Sequence, residues 1–273
     1  MYKLIALDLD GTLIGRDLAV SPRVREAIRQ SIGAGKIVTI ATGRMFRATL
    51  PFAQELALTA PLICYQGALV EDPVSREVIY HQPVPLEHAL AVIQRVRSEG
   101  LHVNVYIDDE LYVERLTPEA ERYSRLSRVP VHAVGDLCAF LKQDPTKIVI
   151  VSDEPTTDRI TAALSEAFGH ALYVTKSYPF FCEIAHPDCS KANALALLAR
   201  RFGIDRSEVV AVGDNLNDMD MIAWAGFGVA MGDASVPVKA VADFVTASLA
   251  EDGVAILLEN LESVQRGVMW GRE

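Results

Sequence analysis

The stretch LIALDLDGTL, residues 4–13, decides how the rest of the chain reads. Four apolar residues, Leu4 to Leu7, run directly into Asp8, Leu9, Asp10, Gly11 and Thr12. A run that is apolar at every position suits a parallel strand covered on both faces. Side chains alternate faces along a strand, so a chain extended through residue 10 would put Asp8 and Asp10 on one side, a few ångströms apart. Two carboxylates that close repel each other, and desolvation sharpens the repulsion. A cation, a shared proton or open water has to compensate.

Similar short runs recur along the chain: KIVTIAT (36–42), PLICY (61–65), VVAVGD (209–214), GFGVAM (226–231) and ADFVT (242–246). Helical patterns separate most of them. SPRVREAIRQSIGAG offers Ser21 as N-cap, Pro22 at the first helical position, and Val24, Ala27, Ile28 and Ile32 on one stripe, with Gly33 or Gly35 to end it. SKANALALLARRFG repeats the design with Ser190 as N-cap and Gly203 as stop. Strands alternating with helices predict an α/β fold, a doubly wound parallel sheet.

The middle of the chain reads differently. Two helix patterns, PLEHALAVIQRVRSEG and TTDRITAALSEAFG, are interleaved with the strand patterns HVNVYID, LYVER, KIVIV and FFCEIA. This segment interrupts the first strand series, which resumes after Lys191. The reading is a core domain of residues 1–82 and 187–273 with an inserted α/β domain at 83–186.

Half of the 273 residues are hydrophobic and 23% are charged, the balance of a globular chain. A net charge of -10 argues against nucleic acid or an anionic membrane as partner. The four cysteines, Cys64, Cys138, Cys182 and Cys189, form no C-x-x-C pair, which suits a reducing compartment. The apolar run near the N-terminus is too short for a signal peptide or a membrane span, so the expectation is a cytoplasmic protein.

In open α/β sheets, ligands bind beyond the carboxyl ends of the strands. The first strand delivers Asp8 and Asp10 there, the second Thr42, Gly43 and Arg44, and VVAVGD delivers Asp214, followed by Asn215, Asn217 and Asp218. Lys191 opens the helix leading into that last strand. Carboxylates at such an edge suit Mg²⁺, an oxygen-seeking cation that takes one or two carboxylates and fills the rest with water. The opening repulsion is then offset by a divalent ion, and the site is ready for a phosphate held by the metal, lysine, threonine and backbone N–H groups. Asp8 could attack phosphorus, and Asp10 could protonate the leaving oxygen and then activate water.

Each feature alone has a plainer reading. Asp10-Gly11 could be a hairpin turn, although no matching β-run follows. Thr42-Gly43 could cap the helix from Arg44. Lys191 could be a solvated surface residue, yet a cation in a helix's first turn opposes the dipole, so an anion nearby would account for it. GDNLNDMD lacks the glycine and glutamate of an EF-hand, since Ala225 stands at the twelfth position. GFGVAMG is not G-x-G-x-x-G, and no Walker A sequence occurs. His186 and Cys189 lack a second ligand pair for zinc.

Together these residues resemble the haloacid dehalogenase superfamily of phosphatases, more narrowly the Cof-type branch with a C2B cap, over essentially the whole chain. DLDGT is similar to the family's first motif, ATGR to the second, Lys191 in CSKANAL to the third and GDNLNDMDM to the fourth. The resemblance implies a Mg²⁺-dependent hydrolase acting through an aspartyl phosphate. Asp8 would be the nucleophile, Asp10 the acid/base and Lys191 the third catalytic group. Leu9, Thr42, Gly43, Lys191 and Asn217 would hold phosphate. Asp8, Asp10 (through its carbonyl) and Asp214 would hold the metal, with Asp218 supporting the metal shell or Lys191. Arg44 and Glu183 would meet the substrate, and the inserted segment would be the cap. Three positions depart from the family pattern: Gln66 in place of asparagine, Ala192 in place of glycine, and Asp233 in place of asparagine.

The expected substrate is a small phosphorylated metabolite, sugar phosphates first and cofactors such as flavin mononucleotide or pyridoxal phosphate next. The chain would act as a monomer or homodimer. The alternatives are a phosphomutase, which needs a second phosphate site in the cap, and a metabolite-binding protein without turnover, which would predict a lost nucleophile or lysine.

Overall fold

The computed structural model describes residues 1–265, so residues 266–273, the end of the expected core segment, lie outside it. The chain divides into two units, one holding Met1–Gly43, Leu50–Glu77 and the chain from Ser190 onward, the other Arg44–Thr49 and Val78–Cys189.

The chain begins with β1 (Leu4–Leu7), α1 (Pro22–Gly33), β2 (Ile37–Ile40), α2 (Phe46–Glu55), β3 (Leu62–Cys64) and β4 (Leu69–Glu71). The middle runs through β5 (Val78–His81), α3 (Leu86–Arg97), β6 (His102–Ile107), β7 (Glu110–Val113), α4 (Pro118–Ser127), β8 (Val131–Ala133), α5 (Leu137–Phe140), β9 (Lys147–Val151), α6 (Glu154–Phe168), β10 (Tyr173–Tyr178) and β11 (Phe181–Ala185). It closes with α7 (Lys191–Arg201), β12 (Val209–Gly213), α8 (Met219–Trp224), β13 (Phe227–Ala230), α9 (Val236–Val241), β14 (Phe244–Val245) and α10 (Gly253–Gln265).

The first unit is built on a five-stranded sheet in the order β14-β13-β12-β1-β2, with every pairing parallel. A parallel bridge from Ala41 to Ile63 continues it towards β3. All four residues of β1 are fully buried, as a strand with helices over both faces requires. Helix α1 starts as its sequence dictates: Ser21 Oγ accepts from Val24 N at 3.1 Å, Pro22 follows, and Val24, Ala27 and Ile28 are buried. Ser31 takes the fourth buried place while Ile32 lies half-buried, because Ser31 Oγ satisfies itself on Ala27 O at 2.9 Å.

Register sets the chemistry. Leu7 stands opposite Val212 on one side and Ile40 on the other, so the chain leaves β1, β12 and β2 at one edge. From β1 the sheet grows to β2 in one direction and from β12 to β14 in the other. The edge between β1 and β12 is therefore the switch point, where open α/β sheets place ligands.

The second unit carries a six-stranded sheet, β10-β11-β9-β6-β7-β8, antiparallel except for the β7–β8 pair. Val103, Val105, Ile148, Ile150 and Ile184 on one face pack with Val92, Ile93, Ile160 and Leu164 from α3 and α6. Asn104, Tyr106, Lys147 and Glu183 are also buried, and Tyr123 of α4 packs its ring against Tyr106 and Phe181.

Two histidines in this unit make its stability depend on pH. His81 Nε2 lies 2.9 Å from Thr146 Oγ1, and His102 spans Asn104 Oδ1 and Thr117 Oγ1. Burial holds both imidazoles below their ordinary pKa. A depressed histidine favours the fold above its unfolded value of about 6.5, and that contribution is lost as pH falls through the folded value. The urea midpoint should therefore drop between pH 7.5 and pH 5, and the double substitution His81→Gln, His102→Gln should flatten the drop. Identical pH profiles for the two proteins would contradict this.

Among the described residues the four cysteines form no disulfide, and no helix is long and apolar enough to cross a membrane.

Candidate active site

Strand β1 ends at Leu7, one residue before the first carboxylate. Asp8 N still donates to Val212 O at 2.9 Å, which anchors Asp8 against β12. The chain then folds back: Leu13 N and Ile14 N both donate to Leu9 O, and Asp10 bridges to Ile14. The regular strand thus ends before Asp8, and the chain is not extended through residue 10 as strand alternation would need. Instead Asp8 gathers with Asp214 and Asp218, one carboxylate oxygen of each lying within 4.8 Å of the others.

Lys191 sits at the centre of this cluster. Ser190 caps α7 by accepting from Asn193 N at 3.0 Å, so Lys191 is the first helical residue. Its Nζ lies 2.6 Å from Asp8 Oδ1 and 2.5 Å from Asp218 Oδ1. The lysine is 1% exposed, Asp8 4% and Asp218 0%. Two anions thus account for a cation placed against the helix dipole. Asp218 completes its own coordination by accepting from the N–H groups of Asp214 and Asn215 at 3.1 and 3.0 Å.

The electrostatics follow from burial. Desolvation first, then the Asp218 charge, push Asp8 well above the usual carboxylate range, with Lys191 opposing them. The same two causes push Asp214 up to about 7. Burial alone would lower the Lys191 ammonium, but Asp218 and Asp8 outweigh it and raise it. Three carboxylates against one ammonium leave two negative charges when ionised, the charge of one divalent cation. The oxygen-only donor set fits Mg²⁺. The cluster also needs space on the Asp10 loop: Gly11 holds a φ of +89°, and a Cβ there would collide with the Asp214 carboxylate.

Thr42 is buried at the carboxyl end of β2, its N–H on Ile63 O at 2.8 Å and its carbonyl accepting from Gln66 N at 3.0 Å. Gln66, in left-handed backbone, accepts from Asn217 Nδ2 at 3.0 Å, and its side chain occupies the space a Cβ on Gly43 would need. Gln66 thus links Gly43 to the loop after β12. Asp233 adds negative charge near Asp214. Ala192 N donates to Asp220 Oδ2 at 3.2 Å.

Arg44 and Glu183 belong to the second unit. Arg44 lies two residues before α2. Glu183 lies in β11, where its carboxylate accepts from Lys147 Nζ at 3.2 Å and Ser177 Oγ at 2.6 Å. Sequence reasoning assigns no role to Thr12, which donates to Asp214 Oδ1 at 3.2 Å and holds it in place. Its signal is its position in Asp-Gly-Thr, on the turn that closes back on Leu9.

Fold and edge define a class: an open α/β protein with carboxylates and a buried lysine gathered at the switch point of its parallel sheet. A family model for haloacid dehalogenase-like hydrolases matches residues 5–258, and the chain belongs to that family. Pyridoxal phosphate phosphatase YbhA of Escherichia coli is 32% identical, covering 93% of this chain and 96% of its own length. The 5-amino-6-(5-phospho-D-ribitylamino)uracil phosphatase YitU of Bacillus subtilis is also 32% identical, covering 96% and 98%. A crystal structure of a haloacid dehalogenase-like hydrolase from Bacteroides thetaiotaomicron superposes with a TM-score of 0.89 at 32% identity, over 96% of this chain and 100% of that one.

Proposed function

We propose that this protein is a Mg²⁺-dependent phosphatase that hydrolyses phosphate monoesters of small metabolites through an aspartyl phosphate on Asp8. The observation that carries the reading is the buried Asp8 carboxylate, 2.6 Å from Lys191 Nζ and gathered with the Asp214 and Asp218 carboxylates. Asp8, Asp214 and the Asp10 carbonyl would hold Mg²⁺, which when bound supplies the positive charge that lets a phosphate approach these carboxylates.

Asp8 attacks phosphorus, and the bond to the ester oxygen breaks. Asp10 gives its proton to that leaving oxygen. Asp10, now a carboxylate, takes a proton from water, whose oxygen attacks the phosphoryl group and frees Asp8 and phosphate. Lys191 keeps Asp8 charged and aimed and neutralises part of the transferring group. The Thr42 hydroxyl, the N–H groups of Leu9 and Gly43, and Asn217 hold the phosphoryl oxygens. Arg44 and Glu183 meet the leaving group, Glu183 with its direction fixed by Lys147 and Ser177.

Sugar phosphates lead the candidate substrates, and the names of two relatives put phosphorylated cofactors and their precursors beside them. A cytoplasmic setting fits both. The test is phosphate release from a panel of sugar phosphates, flavin mononucleotide and pyridoxal phosphate. Release in Mg²⁺ that stops in EDTA is the expected result. A folded, Mg²⁺-loaded protein that frees phosphate from none of them would overturn the reading.

A further inference from the structure

Helix α2 begins at Phe46, but the residue before it is Met45, whose side chain offers no oxygen to the first N–H groups. The acceptor comes from far along the chain. Phe46 N donates to Asp109 Oδ1 at 3.0 Å, and Arg47 N donates to Asp109 Oδ2 at 2.6 Å. Asp109 stands at the tip of the β6–β7 hairpin, a two-residue turn between the paired Ile107 and Glu110. Asp108 and Asp109 both hold left-handed φ values, 51° and 58°, as such a turn requires and as aspartate tolerates. The Arg47 guanidinium reaches back to Glu110 on the same hairpin. One carboxylate thus satisfies two orphan donors and the positive end of the helix dipole. All these residues belong to the second unit, whose short segment Arg44–Thr49 follows Gly43 directly in the chain.

We propose that Asp109 is a positioning residue for substrate recognition: by capping α2 it fixes the exit of the Thr42–Gly43–Arg44 loop and so sets Arg44 for the leaving group. This rests on the phosphatase reading above. The N–H groups it holds lie two and three residues beyond Arg44, so its influence falls on binding the organic part of the ester. Phosphoryl transfer at Asp8 is left largely intact.

The test compares wild type, Asp109→Ala and Asp109→Asn as full-length proteins with Mg²⁺. The substrates are a hexose monophosphate and pyridoxal phosphate, read on whichever the wild type turns over faster, and acetyl phosphate, whose small leaving group offers little to recognise. Asparagine keeps one acceptor oxygen and replaces the other with an N–H₂ donor, so it can hold one of the two N–H groups. Asp109→Ala should raise KM for the metabolite about tenfold with kcat within about threefold, an effect of misplacement rather than lost chemistry. Its kcat/KM for acetyl phosphate should stay unchanged, and Asp109→Asn, which keeps one of the two acceptor oxygens, should recover part of the metabolite KM. Amide exchange in residues 44–49 should quicken in Asp109→Ala and recover in part in Asp109→Asn.

An equal proportional loss on the metabolite ester and on acetyl phosphate would mean a merely structural cap and overturn the proposal, as would unchanged exchange or an unchanged KM. Wild-type silence on all three phosphoryl donors would overturn the phosphatase reading together with this one. Wild-type turnover that ignores Asp109 would overturn this one alone.

Discussion

Asp8→Asn should reduce phosphate release by about a thousandfold or more, because it removes the proposed nucleophile from a reaction whose uncatalysed rate is among the slowest known. The same substitution should not destabilise the metal-free protein. Burial and the Asp218 charge raise the Asp8 pKa, so at neutral pH the ionised carboxylate is held in the fold at a cost. Asparagine keeps an oxygen to accept from Lys191 Nζ and removes one member of the repelling cluster. In EDTA the variant should melt at or above the wild-type temperature, a gain in stability matched to a loss of function. Turnover within tenfold of wild type would contradict the assignment. A much lower melting temperature would contradict the account of the cluster's electrostatics.

Lys191→Met should damage both stability and activity. Its ammonium bridges two buried carboxylates at 2.6 and 2.5 Å, and removing one partner of a buried ion pair costs about 3–5 kcal/mol because the other charge is left unpaired. Phosphate release should fall by about a hundredfold or more, since the nucleophile loses the charge that orients it. Adding Asp218→Asn should restore part of the stability but little of the activity. Asp218 is then neutral, while Asp8 still lacks its cation. A double-mutant cycle on denaturant midpoints measures the coupling. A Lys191→Met protein as stable as wild type would mean that Lys191 is not the counter-ion of this cluster.

Local chemistry makes part of this molecule legible from its sequence. The fully apolar β1, the Ser21-Pro22 start of α1 and the Ser190 cap of α7 each follow from a few neighbouring residues. So does the expectation of anions beside Lys191, because a cation at a helix N-terminus needs a reason. Alternation along an extended strand is not the arrangement around Asp8 and Asp10, because β1 stops at Leu7 and the Leu9 carbonyl draws the chain into a turn. The clustering of Asp8 with Asp214 comes instead from the register of β1 on β12.

What stays hidden is non-local or weakly patterned. Strand β8 has only three residues, two of them exposed, and β10 is half-covered and polar. Neither shows the apolar signature of a buried strand. The Asp109 cap is invisible in sequence because a helix cap is normally sought in the residue just before the helix, and here 63 positions separate donor and acceptor. The left-handed Gln66 is hidden in the same way, since its partner Asn217 lies 151 residues away.

The most direct test of the central claim is to trap the intermediate. Asp10→Asn lacks the group that activates water, so its phosphoenzyme should outlive that of the wild type. It would be mixed with acetyl phosphate and Mg²⁺, quenched in acid, and examined by intact mass and peptide mapping. The account predicts a mass increase of one phosphoryl group, located on Asp8 and absent from the Asp8→Asn, Asp10→Asn double variant. A phosphoryl group on another residue, or none while phosphate is still released, would contradict it.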